Sequence, residues 1–132
     1  MVTQQTRRLV MGPSDVPTID DRGGEIHVLI SPTSVQSTKL IMGTATVPVG
    51  GRVLCHAHPH GEECFYVLQG QGEIEIADVG VVPFQAGQAV LTPQGAAHSI
   101  VNVGNEEIRV VFASAPLAPS PKDGHIILEG EH

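Results

Sequence analysis

Three histidines and a glutamate, spaced His56-x-His58-x4-Glu63 with His98 further along, carry the clearest chemical signal in the chain. His56 and His58 lie one residue apart in a stretch that reads as a strand. Side chains at i and i+2 of a strand share a face, so both imidazoles project together. Glu63 follows the turn signal Pro59-His60-Gly61 and opens a strand on which Glu63, Phe65 and Val67 share one face. His98 begins a later strand after Pro93-Gln94-Gly95 and shares its face with Ile100 and Asn102. Three imidazoles and one carboxylate suit a single divalent ion per chain (Zn, Fe, Mn or Ni) and leave positions for water or substrate. Glu62 competes with Glu63 for the carboxylate role; spacing to Gly70 favours Glu63, and alternation then turns Glu62 outward. His60, on the turn between the candidate ligands, reads as a loop residue near the barrel mouth and is the first candidate for a catalytic base, with a metal-bound hydroxide as the alternative. His27, His125 and His132 read as ordinary surface or strand residues.

Converging these groups requires short strands folded back on one another. Strand-like runs recur from Glu25 onward: EIHVLIS, KLIMGTATV, VLCHAH, ECFYVLQG, GEIEIADV, AVLT, HSIVNV and IRVVFASA, each closed by a Gly- or Pro-rich turn signal. About eight strands at this spacing, without helical periodicity, predict an all-β closed antiparallel barrel or sandwich in a single domain. In GEIEIADV, Ile74 and Ile76 alternate with Glu73 and Glu75, the pattern of a half-exposed strand. The reading divides the chain into an N-terminal arm or edge strand over 1–24, a barrel over 25–115 and an extended tail over 116–132. The tail's apolar HIILEGEH run is expected to dock on the barrel's outside or on a second subunit.

Composition narrows the partners. The chain has 132 residues, fifteen Gly, ten Pro and no Trp, and a formal charge of −7. Its seven basic residues are scattered, so neither nucleic acid nor an anionic membrane surface is an expected partner. No apolar run is long enough to span a bilayer, and no signal-peptide core precedes the barrel. Two cysteines, Cys55 and Cys64, make no disulfide framework, which predicts a cytoplasmic protein. Both flank ligands and should point away from the lumen.

The motifs resemble those of the cupins. Gly50-GRVLC-His56-A-His58-PHGE-Glu63-CFYVLQ-Gly70 resembles the first cupin motif, and Gly87-QAVLT-Pro93-Q-Gly95-AA-His98-SIV-Asn102 the second. The resemblance spans about Glu25 to Ala115 and implies a double-stranded β-helix, or jelly-roll barrel, with the four residues as metal ligands. Gly50, Gly70, Gly87 and Gly95 fall at turns where positive φ or close backbone approach favours glycine. Asn102 is expected to act behind the ligands or to cap a strand end.

A finer resemblance is to the small cupins of aromatic polyketide pathways, the tetracenomycin and resistomycin cyclases. It rests on Leu29-Ile30-Ser31-Pro32, Met42-Gly43, Pro116-Leu117-Ala118-Pro119 and Gly124-His125. It implies intramolecular aldol cyclisation and aromatisation of a poly-β-ketone, without redox change. By alternation with the ligands, Met42, Phe65, Val67, Ile100 and Phe112 are the expected pocket residues. Such a pocket suits a small apolar, aromatic or polyketone substrate rather than a sugar phosphate, which demands several cations. Two other classes compete: an Fe(II)-dependent dioxygenase of a phenol or diketone, which consumes oxygen, and a non-catalytic small-molecule binder. A homodimer is expected, since cupins often pair by sheet extension.

Overall fold

Alternating apolar residues and frequent turn formers leave this chain one economical way to bury its core, which is to stack two sheets face to face. The structure, a computed structural model, describes residues 8–128. The outermost parts of the arm and tail, with His132, lie outside the described residues. Among the described residues ten strands form: β1 (Glu25–Ile30), β2 (Ile41–Val47), β3 (Arg52–Ala57), β4 (Glu62–Gln69), β5 (Gln71–Ile76), β6 (Gly80–Gln85), β7 (Ala89–Thr92), β8 (His98–Asn102), β9 (Ile108–Ala115) and β10 (Ile126–Ile127). They make two five-stranded antiparallel sheets, ordered β1-β2-β9-β4-β7 and β10-β3-β8-β5-β6.

The core lies between the sheets. Val47, Phe65, Val67 and Val110 from one sheet meet Ile74, Ile76 and Phe84 from the other, with Ile108 closing the end. Each such side chain stabilises the fold by roughly 1.5–3 kcal/mol relative to exposure. Phe65 and Phe84 meet edge to face across the gap, ring centres 5.5 Å apart, the arrangement favoured by their quadrupoles.

The sequence reading omitted β6 and β10. Pro83 breaks the strand signal of GVVPFQ, yet β6 is an edge strand, where a missing N–H goes unpaired without penalty. β10 is only two residues long and is held by pairing with β3 rather than by its own pattern. Between β1 and β2 a single helical turn, α1 (Pro32–Val35), follows from SPTS: Ser31 caps it by accepting from the Ser34 N–H at 3.1 Å, with Pro32 pre-set at the first turn.

Register also corrects one pocket residue. Directly opposed residues in an antiparallel pair share a face. Phe65 pairs with Phe112 and Phe112 with Gly43. Phe112 packs on the core, so Gly43 takes the inward position on β2 and Met42 turns outward beside Ala113 and Cys64. Met42 and Phe112 sit one step out of phase and do not both face the interior.

Candidate metal centre

The end of β3 and the residue just after it supply two of the candidate donors, and a β-bulge makes this possible. Val53 pairs with Ile100 and His56 with His98, so three residues on β3 span what two span on β8. The extra residue resets the alternation, leaving both Val53 and His56 inward. His58 follows directly after β3, Glu63 is the second residue of β4 and His98 opens β8. His56 and His98 therefore come from one sheet, His58 from the loop that leaves it and Glu63 from the facing sheet.

Local hydrogen bonds hold this arrangement. The Pro93–Gly95 turn before β8 is tied to the ligand loop by the Gly95 N–H donating to His58 O at 2.9 Å and the Gln94 amide donating to Pro59 O at 3.0 Å. Thr92, almost fully buried, donates its hydroxyl to Glu63 O at 3.0 Å and so fixes the backbone that carries the carboxylate. The sequence reading did not single out Thr92; its position opposite Glu63 emerges only from the β4–β7 register.

One ligand atom from each of His56, His58, Glu63 and His98 lies within 4.8 Å of the others. The Nδ1 atoms are all taken up by carbonyls: His56 with Leu54 O at 2.7 Å, His98 with Ala96 O at 2.9 Å and His58 with Gly124 O at 2.8 Å. A carbonyl can only accept, so each Nδ1 carries the proton and each Nε2 is left as a donor atom for a metal. The Nε2 atoms of His58 and His98 are buried with no hydrogen-bond partner, a costly state for a polar atom unless something binds there. A divalent cation fits that need, and the mixed nitrogen–oxygen set is the chemistry such ions take.

Electrostatics follow from burial. Desolvation, reinforced by His98, pushes His56 down from the ordinary 6.5 to about 4, and burial lowers His98 as well. For His58 burial acts the same way, but the Glu63 carboxylate 3.3 Å away outweighs it and raises the pKa. The two groups lie within ion-pair distance, without the alignment of a hydrogen bond.

His60 is exposed on the turn after β3. Phe65 and Val67 share the face of Glu63 but are sealed in the core, whereas Ile100 and Phe112 are partly buried at its margin. Glu62 and Tyr66 face outward, and neither Cys55 nor Cys64 is in a disulfide. Asn102 caps the far end of β8: its amide donates toward the carbonyls of Val47, Pro48 and Glu106, and its oxygen accepts from the Gly104 N–H. The glycine turns form as expected, and at Gly70 (φ 91°) a Cβ would also sit 2.9 Å from Glu107 O.

His125, like Met42, lies elsewhere than the sequence suggests. It is half-buried, with its ring stacked on His56 at 4.3 Å and lying 5.3 Å from His58. Burial, together with His56 and Arg22, drives its pKa down to about 2, so it is a neutral imidazole. Its only sequence signal was membership of the Gly124-His125 pair.

Residues 43–114 match the family model described as Cupin_2, cupin domain. The chain is a cupin. This cupin is 40% identical over 128 residues to "Protein SchB" of Streptomyces halstedii, covering 97% of this chain and 91% of that one. It is 32% identical over 116 residues to "Tetracenomycin polyketide synthase protein TcmJ" of Streptomyces glaucescens, covering 88% of this chain and 77% of that one. The solved polyketide cyclase RemF from Streptomyces resistomycificus superposes with a TM-score of 0.71 at 19% identity, covering 94% of this chain and 87% of that one, a likeness of fold. Both double-stranded β-helix architecture and kinship with polyketide-pathway cupins thus stand. Among the described residues no helix is long and apolar enough to cross a membrane.

Proposed function

We propose that this cupin is a metal-dependent cyclase that closes rings in a poly-β-ketone or similar small organic substrate by intramolecular aldol chemistry. The observation that carries the reading is the four-donor cluster with two orphaned imidazole nitrogens, set in a chain related to a tetracenomycin polyketide synthase protein. His56, His58, Glu63 and His98 hold the ion. When bound, a divalent ion supplies Lewis acidity toward a carbonyl oxygen.

The chain's own residues do the rest. Ile100 and Phe112, partly buried against the core, give a folded polyketone an apolar wall and favour a near-attack conformer. His60, the exposed imidazole between ligands His58 and Glu63, takes the proton from the attacking α-carbon. The α-carbon loses that proton and bonds to a second carbonyl carbon, whose oxygen becomes a hydroxyl. Loss of water then gives the aromatic ring. Atoms and electrons balance without an oxidant, so a redox-inert ion such as zinc suffices.

We also take the working unit to be the 25–115 barrel with its 1–24 arm and 116–132 tail, in a cytoplasmic homodimer. Tyr66, Leu68 and Leu91, about half exposed on the outer face of the β4–β7 pair, support self-association. Size and mass in solution test the dimer.

The test of the activity is anaerobic incubation of the zinc-loaded protein with a linear poly-β-ketone. Cyclised, dehydrated product at an unchanged oxidation level is expected, and it should vanish in His98→Ala. Turnover only with iron, with stoichiometric oxygen consumption, overturns the cyclase reading in favour of a dioxygenase. No turnover of polyketones or phenols beside tight binding overturns it in favour of a binder.

A further inference from the structure

The three imidazole ligands are not aimed in the same way. His56 and His98 each lean on the carbonyl two residues earlier in their own chain segment, Leu54 and Ala96. The His58 ring leans on Gly124 O at 2.8 Å, a partner 66 residues away in the C-terminal tail. His125, next in sequence, stacks its ring on His56 at an interplanar angle of 21°. The segment is itself fastened: Ile126 and Ile127 pair with Ala57 and His56, and the Leu128 N–H donates to Cys55 O at 2.8 Å. Ahead of it, the Ser120 hydroxyl donates to Asp123 at 2.7 Å and the Asp123 N–H to Ser120 O, which shapes the turn that delivers Gly124.

We propose that residues 120–128 form a positioning strap for the metal centre, in which the Gly124 carbonyl fixes the tautomer and aim of His58 and the His125 ring fixes the plane of His56. The Gly124-His125 pair thereby acquires a task that barrel motifs alone leave undone. Outer partners of metal-bound histidines raise affinity by holding the ring in its ligating orientation, and their loss typically costs about 10–100-fold in metal affinity. His125 is a positioning residue here, acting through His56.

The inference rests on the metal-centre reading, and its test separates the two. Zinc affinity is measured by chelator competition on the full chain, and the visible spectrum of the cobalt-loaded form reports the ligand field. Leu128→Pro removes the N–H that fastens the strap, His125→Ala removes the ring and His125→Phe restores a stacking ring without nitrogen. The expected result is zinc affinity lowered about 10–100-fold in Leu128→Pro and His125→Ala, with shifted cobalt bands. His125→Phe should recover most of the affinity and the parental spectrum. Parental affinity and spectrum in both disruptive variants overturn the strap while leaving the metal centre standing. Should Leu128→Pro not fold, equal behaviour of His125→Ala and His125→Phe overturns it, and rescue by phenylalanine supports it. A parent chain that takes up no divalent ion overturns the metal-centre reading and the strap with it.

Discussion

Nε2 of His58 lies 3.3 Å from Oε1 of Glu63, so two of the four metal-binding candidates pair with each other across the gap between the sheets. The pair is one imidazole from just beyond β3 and one carboxylate from β4, and a cation bound there would take the place of this contact.

Metal uptake should therefore release a proton. Glu63 holds the His58 pKa above its ordinary value, and burial alone would have lowered it. Ligation needs the neutral ring. Calorimetric titration with zinc in buffers of different ionisation heat is expected to show net proton release near neutral pH, reduced in Glu63→Gln. Heats independent of buffer contradict this assignment.

Glu63→Gln should also weaken zinc binding by more than the roughly 10–100-fold that loss of an outer partner costs, because it removes a charged donor. The amide keeps the shape of the side chain, so the thermal melt of the metal-free protein should move little. Competition titration beside a thermal melt checks both halves.

Acid should destabilise the metal-free fold. Burial holds His56 at about 4 and lowers His98, against 6.5 for an ordinary histidine. Between those values the unfolded chain binds more protons than the folded one, so stability falls as pH drops from 6.5 toward about 4. His58, shifted upward, works in the opposite sense: its contribution is present below 6.5 and fades as pH rises through its folded value. Three lowered histidines, His56, His98 and His125, against one raised predict a net loss, read as a falling melting temperature across the acid range. In His56→Phe the dependence should flatten.

Asn102 tests architecture apart from chemistry. Its buried amide serves the carbonyls of Val47, Pro48 and Glu106 at the end of β8 remote from His98. Asn102→Ala takes a partner from several backbone groups, Pro48 O keeping the Gly51 N–H, and at about 1–3 kcal/mol for each group left unsatisfied a loss on the order of 3 kcal/mol is expected in denaturant unfolding. The fraction that stays folded should bind zinc as the parent does.

Much of this was legible from residue order. Strand alternation put Glu63, Phe65 and Val67 on one face and turned Tyr66 outward, and both follow from a period of two that needs no tertiary information. The candidate quartet stood out because its members share strand faces close to glycine- or proline-marked turns. What stayed hidden depends on which strands become neighbours. Met42 faces out because Phe112 pairs with Gly43, a relation between segments some 70 residues apart. The bulge that brings Val53 and His56 to one face leaves no local mark, and β6 hid behind Pro83, permissible only because that strand is an edge. His125 looked ordinary because its meaning lies in where a proline-broken tail returns to β3.

The central claim is that His56, His58, Glu63 and His98 converge on one divalent ion. Its most direct test is zinc titration of the chelator-stripped protein, followed by elemental analysis after gel filtration. One ion per chain in the parent, lost in His98→Ala while the fold persists by circular dichroism, is the predicted result. A parent that emerges metal-free, or a His98→Ala variant that retains the ion as tightly, contradicts it.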